Sequence, residues 1–310
     1  MDILDDILDT LDLKGVLYFR TDFSSPWSVQ VPVLEGAARF HLVVHGECCV
    51  TLPDNKRVTL QAGDLILIPY GQTHSLSDVP VTQPPSLETV LQDNGYDGQG
   101  VLVIGEGDPD ASTRMVCGHL SFRNRADHAI LRHMQDYVLI TSATRAKNPL
   151  LDDILRLVSR QMLAEKSGLS SSIRRLSEAM FIELIRIAIE DEDQPYSSLL
   201  LKGFHDPYIS QALTLMHQDP ATSWSVSSLA KEVGMSRSSF ADRFAQTMGQ
   251  GPMSYLSDWR LQKALSLLED GKLSIKEVAA KTGYHSGAAF TRAFVGKFGD
   301  TPSAYRRASH

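Results

Sequence analysis

Residues 234–244 read GMSRSSFADRF and residues 283–294 read GYHSGAAFTRAF, two versions of one cassette about fifty positions apart. Each opens on Gly, passes through a short polar stretch and carries two Phe four residues apart. The match extends outward, since SVSSLAKEVGMSRSSFADRFAQTMGQGPMSYL from Ser225 aligns with SIKEVAAKTGYHSGAAFTRAFVGKFGDTPSAYR from Ser274. Ala230 pairs with Ala279, Phe240/Phe244 with Phe290/Phe294, Gly249 with Gly299, Pro252 with Pro302 and Tyr255 with Tyr305, with one extra residue in the second turn. Matches at fixed offsets require one small fold built twice. Each copy predicts a helix, a three-to-four-residue turn opening at Gly, and a second helix, which is the helix-turn-helix arrangement.

Local chemistry supports both copies. Ser274 and Glu277 have the spacing of a capping box, and Gly234 and Gly283 suit the left-handed conformation that reverses the chain. At about 100° per residue, Phe240 and Phe244 facing a core put Ser238 and Asp242 outward, as Phe290 and Phe294 do for Ala288 and Arg292. Arg292, with Thr291 beside it, is therefore a candidate base contact, with guanine matching a guanidinium by bidentate geometry, and Ala288 suits a thymine methyl. Asp242 either accepts from a cytosine amino group or orients Arg243 or Arg237. Arg237, Arg243, Lys297, Arg306 and Arg307 are candidate phosphate contacts. The plainer alternative for each is an ordinary solvated charge.

On LAKEVGMSRSSFADRF, PMSYLSDWRLQKALSLL and IKEVAAKTGYHSGAAFTRAFVGKFGDTPSAYRR, the region from His205 to Arg307 resembles the double helix-turn-helix domain of the AraC/XylS family of bacterial transcription regulators. The resemblance implies two recognition helices joined by a long linker helix around Met253 to Leu268. They would read successive major grooves about one DNA turn, roughly 34 Å, apart. It also implies double-stranded promoter DNA as partner, and RNA polymerase if the protein activates.

The net charge of −7 looks wrong for such a partner until it is divided along the chain. Residues 1–204 hold 18 Lys/Arg against 28 Asp/Glu, whereas residues 205–310 hold 12 against 9. An acidic module joined to a mildly basic one fits that asymmetry. The 310 residues suffice for two cored domains. The acidic, amphipathic start MDILDDILDTLDLKG lacks a signal peptide's basic flank and apolar core, and no apolar run approaches a membrane span, so a cytoplasmic location is expected.

From about Val16 to Leu120, short apolar runs punctuated by turn residues (FHLVVHGECCVTL, RVTLQAGDLILIPYG, VLVIGEGD, TRMVCGHLSF) read as a β-sandwich or barrel. From Pro149 to Glu190 the apolar period changes to three and four, predicting two amphipathic helices that either dimerise the protein or cover the barrel. The polar stretch EDEDQPYSS closes this region. The expected fold class is α+β: a cupin-like barrel over 1–148, a helical segment over 149–204 and an all-α double helix-turn-helix domain over 205–310.

The cupin expectation rests on GDLILIPYGQTH, Gly63 to His74, whose G-x5-P-x-G-x2-H spacing resembles the second cupin motif; in metal-binding cupins that His is a ligand. The first motif does not fit, because Arg39 stands where the ligating Glu belongs and would oppose a cation. His41 follows two residues on, and with Cys48, Cys49, His74 and Cys117 it forms a candidate effector or displaced metal site for zinc, copper or another divalent ion. The bland alternative is core histidines and buried thiols. Adjacent Cys48 and Cys49 point to opposite faces of a strand, so a regulatory disulfide would join one of them to Cys117. FHLVVHGEC, AGDLILIPYGQTHSLSD and VCGHLSF together resemble the N-terminal cupin domain of one branch of the same regulators, some of which look like oxidant sensors. The expected function is a DNA-binding regulator, dimeric and controlled through its barrel by a small ligand, metal or oxidant. Its rivals are a cupin-type metalloenzyme with an accessory helical domain and a ligand-free DNA-binding adaptor. The sequence presents neither an intact metal triad nor a nucleophile–base pair, so no enzyme activity is expected.

Overall fold

The structure, a computed structural model, describes residues 3–98, 100–106, 112–123, 134–162, 169–190 and 203–309. Residues 191–198 of the expected polar break and the junction 163–168 of the two expected helices lie outside the described residues. The chain divides into two compact units, one of Leu13–Phe122 with Met134–Tyr196, the other of Met1–Asp12, Arg123–His133 and Ser197–His310. The sequence-based division into 1–148, 149–204 and 205–310 does not coincide with these units. The helices after Pro149 fall with the sheets, and the N-terminal helix α1 (Ile3–Leu11) falls with the C-terminal helices.

Among its described residues the first unit carries ten strands: β1 (Lys14–Phe23), β2 (Ser28–Val31), β3 (Ala37–His45), β4 (Glu47–Thr51), β5 (Arg57–Gln61), β6 (Leu65–Ile68), β7 (His74–Ser77), β8 (Val101–Ile104), β9 (Thr113–Ser121) and β10 (Val138–Ile140). They form a six-stranded sheet in the order β10-β6-β3-β9-β1-β8 and a four-stranded sheet in the order β2-β7-β4-β5. Only the β1/β8 pair is parallel among the named pairings. Period-2 patterning is plain in β5, where Val58 and Leu60 are buried between exposed Arg57, Thr59 and Gln61. Central β3 is buried over most of its length, as a strand covered on both faces must be. Val29, Leu76 and Val50 from one sheet meet Val43, Ile66 and Met115 from the other in a single core.

Helix α2 (Leu87–Asp93) closes one side, and α3 (Ser142–Lys147), α4 (Pro149–Met162) and α5 (Leu169–Glu190) follow the last strand. Helices α4 and α5 pack on each other, α5 on β1 and α4 on β9. Gly15 N donates to Glu178 Oε1 at 3.0 Å, tying α5 to the sheet. The helical segment therefore packs on the sheets.

The second unit holds α6 (Pro207–Gln218), α7 (Val226–Glu232), α8 (Arg237–Met248), α9 (Pro252–Asp270), α10 (Ile275–Lys281), α11 (Gly287–Phe298) and α12 (Pro302–Ala308). The repeat is obeyed in detail. Ser225 and Ser274 both open their helices with capping boxes, closed by Ser228 and Glu277. Pro252 and Pro302 both stand in the first turn of a helix, where the missing N–H costs nothing. The expected linker helix is α9, and it packs against both α8 and α11.

Helix α1 docks in this unit through a buried polar cluster. Asp6 accepts from Lys263 Nζ at 2.7 Å and lies 3.5 Å from His217 Nδ1. The hydroxyl of Tyr255 hydrogen-bonds with His217 Nε2 at 2.7 Å, and the His217 ring stacks on Trp259 at 3.9 Å. Burial alone would raise the Asp6 pKa, but His217 and Lys263 outweigh it and hold it below the usual carboxylate value. His217 is itself held below its ordinary value, chiefly by burial. With both folded-state pKa values depressed, their contribution to stability is complete above about pH 6.5 and is lost as pH falls through the folded values. Asp6→Ala is expected to destabilise this unit by about 2 kcal/mol. It should also flatten the part of the acid limb below about pH 4, where Asp6 itself titrates, as urea unfolding of the full chain between about pH 2 and 7 would show.

Candidate nucleic-acid interface and barrel cavity

Each reading helix starts from a cap that its own sequence supplies. Ser236 Oγ accepts from Ser239 N to open α8, and Ser286 Oγ accepts from Ala289 N to open α11. The turns before them pass through Gly234 at φ +71° and Gly283 at φ +79°. Phe240, Phe244, Phe290 and Phe294 are fully buried. That anchoring leaves Arg237, Ser238 and Asp242 of α8, and Ala288 and Arg292 of α11, exposed, with Thr291 half-buried.

Two arginines have structural partners that the sequence did not reveal. Arg243 is exposed, but its Nε donates to Asp206 Oδ2 at 2.6 Å and its guanidinium lies over the Tyr208 ring. Asp206 also caps α6 by accepting from Tyr208 N and Ile209 N, so Arg243 holds α8 to the start of α6. The acid that orients Arg243 is therefore Asp206 and not Asp242. Arg306 is half-buried and donates from Nη2 to Leu273 O at 2.7 Å, bracing the loop between α9 and α10. Lys297 pairs with Asp258 of α9 at 3.1 Å. The candidate phosphate contacts thus divide into exposed Arg237 and Arg307 and side chains that also brace the unit.

In the sheet unit, the candidate site residues converge only in part. His41 on β3 and His74 at the start of β7 approach to 2.8 Å between their Nε2 atoms. Cys117 on β9 is directly opposite His41 in the ladder. Cys48 shares the core with Cys117, whereas Cys49 lies outside that cluster, as opposite strand faces require. All three cysteines are free and buried. Burial pushes the Cys117 thiol up to about 12 and the Cys48 thiol well above its ordinary value, which disfavours the reactive thiolate. Among the described residues no group of three His, Cys, Asp or Glu side chains could hold a metal ion.

A residue that the sequence singled out only as a misfit belongs to the same place. Arg39, buried and two residues from His41 on β3, lines a cavity of about 390 Å³, its mouth included. The rest of the wall is mostly apolar, from Phe19, Phe23, Val29, Val31, Leu76 and Leu102. Arg39 Nη2 donates to Pro32 O at 2.9 Å, which orients the guanidinium. The motif glycine Gly63 is held from outside, its carbonyl accepting from Arg145 Nη1 at 2.6 Å.

The chain matches the cupin family over residues 2–190 and a helix-turn-helix domain family over residues 229–308. It is 29% identical to the HTH-type transcriptional regulator AlkR of Acinetobacter baylyi, with 100% of each chain covered. It is 26% identical to the RCS-specific HTH-type transcriptional activator RclR of Escherichia coli, over 99% of this chain and 97% of that one. Among solved structures, a DNA-binding transcriptional dual regulator from Escherichia coli K-12 is 30% identical over 32% of this chain and 88% of its own, with a TM-score of 0.30. Among the described residues, no helix is long and apolar enough to cross a membrane.

Proposed function

Since this chain belongs to the cupin family over residues 2–190 and is an AraC-type DNA-binding transcription regulator by its helix-turn-helix region, we propose that α8 and α11 read successive major grooves of one promoter site under control of the barrel. The carrying observation is the paired geometry. Two capped helices, each anchored by two fully buried Phe, present short polar or small side chains outward and pack on one shared linker helix. Arg292 and Arg237, and Arg243 apart from its bond to Asp206, are the exposed cations of the two reading helices among the candidate contacts, and Arg307 suits the DNA backbone.

A homodimer is part of this reading, supported by α4, where Leu150 and Leu157, seven residues apart, expose 53% and 43% of their surface. RNA polymerase is the partner if the protein activates, in a cytoplasmic setting associated with the nucleoid. The chain is read as a non-enzyme.

Selection of the full chain against a random duplex library is expected to enrich one bipartite sequence, with affinity falling steeply as salt rises because neutralised phosphates release counterions. Arg292→Ala should relax the preference at one base position by about 1–3 kcal/mol. Arg307→Ala should weaken all sequences alike and lower the salt slope by about one. Binding without any enrichment over random DNA would sink the regulator reading.

A further inference from the structure

The cavity between the sheets has a polar wall of specific protonation. His74 Nδ1 lies 2.8 Å from Gln72 O, and a carbonyl can only accept, so Nδ1 carries the proton. Burial pulls the His74 pKa down to about 4, so the ring is neutral and its Nε2 is an acceptor. The 2.8 Å approach then makes His41 Nε2 the donor. Neutral His41, whose pKa burial also lowers well below its ordinary value, is left with a bare lone pair on Nδ1. That atom is buried and has no hydrogen-bond partner among the described residues. Both His41 and Arg39 line the cavity, one offering an acceptor and the other a guanidinium cation, and no Asp or Glu is among the lining residues.

We propose that this cavity binds a small apolar carboxylic acid, with its carboxyl group between Arg39 and His41 Nδ1 and its hydrocarbon body among Phe19, Phe23, Val29, Val31, Leu76 and Leu102. The inference rests on the reading of the barrel as a sensor and names the ligand class for it. A carboxyl group is the head that answers both polar neighbours. One oxygen accepts from the guanidinium, and the other shares a single proton with His41 Nδ1, whichever of the two holds it. An ammonium would be repelled by Arg39. An alcohol can donate to His41 and accept from Arg39, but it has a single oxygen for both, where a carboxyl group offers two. The apolar wall excludes sugars and polyols, whose further hydroxyls would be buried without partners.

The test is calorimetric titration of the full chain with octanoate, octanol and octylamine, which share one hydrocarbon body and differ in head group. Octanoate should bind, octanol about tenfold or more weakly, and octylamine not measurably. Arg39→Gln should reduce octanoate affinity about tenfold or more while changing octanol affinity little. Val29→Phe, which fills the cavity without touching the polar wall, should abolish both. Equal binding of octylamine and octanoate, no binding of octanoate, or an unchanged octanoate affinity in Arg39→Gln would overturn the proposal. Should Arg39→Gln fail to fold, the head-group series on the unaltered chain still decides. DNA affinity with and without octanoate, measured on the same preparation, separates the two levels. Tight octanoate binding without any effect on DNA would keep the ligand site and overturn the sensor reading.

Discussion

Gly71→Ala is expected to unfold the sheet unit selectively, at a cost of roughly 4 kcal/mol or more. Gly71 is the second glycine of the GDLILIPYGQTH motif and sits at φ +57°, where a β-carbon is already disfavoured by about 1–2 kcal/mol. The larger effect is steric. A β-carbon there would collide with the carbonyl oxygen of Leu34 and lie 2.8 Å from that of Ala37. Both obstacles are backbone, and they cannot rotate away as a flexible side chain could. Leu34 N donates to Gly71 O at 2.8 Å, so moving the turn would also break the bond that brings in the chain before β3. Ala37 opens β3, which carries Arg39 and His41, and three residues after Gly71 comes His74. Urea unfolding of the full chain followed by circular dichroism should show an early transition for the sheet unit and a helical transition near its original midpoint. Wild-type behaviour would mean that the turn relaxes at little cost.

Phe294→Ala is expected to destabilise the second helix-turn-helix by about 3–5 kcal/mol and to abolish specific DNA binding with it. Phe294 is fully buried, and its ring lies 5.7 Å from Phe290, 4.7 Å from Phe298 and 5.9 Å from Tyr305. Removing it opens a void between three aromatic neighbours on α11 and α12. The Tyr305 hydroxyl donates to Glu269 at the end of α9, so neither that ring nor α12 is free to collapse into the space. Arg292, two residues away on the opposite face, provides the contrast. Its alanine variant should keep the melting temperature and lose discrimination at one base position, whereas Phe294→Ala should lose both. A Phe294→Ala protein that retained its melting temperature would show that the aromatic cluster repacks.

The capping serines, the glycine turns and the four-residue spacing of Phe pairs are short-range rules, satisfied within one or two helical turns. For that reason the double helix-turn-helix and its outward face were legible from the residues alone. The same holds for the cupin motif, where Gly63 and Gly71 both adopt positive φ and His74 is buried at the start of its strand. The opposite faces of Cys48 and Cys49 also followed from the period of a strand.

Partners far apart in the chain were another matter. Nothing near Asp6 indicates that it meets Lys263, 257 residues later, and nothing near Arg243 distinguishes Asp206 from its neighbour Asp242 as its acid. Arg306 read as a free cation because its acceptor, the Leu273 carbonyl, is a backbone atom that carries no sequence signal. Arg39 read as a mismatch to a metal motif until packing put it beside His41 in an apolar wall, where a guanidinium has a use that a metal ligand would not. Local geometry determined which helices and turns this chain forms and which faces they turn outward. Which charges are spent on bracing the fold and which face a partner was decided only when the elements packed, because burial and long-range pairing set the cost of leaving a charge alone.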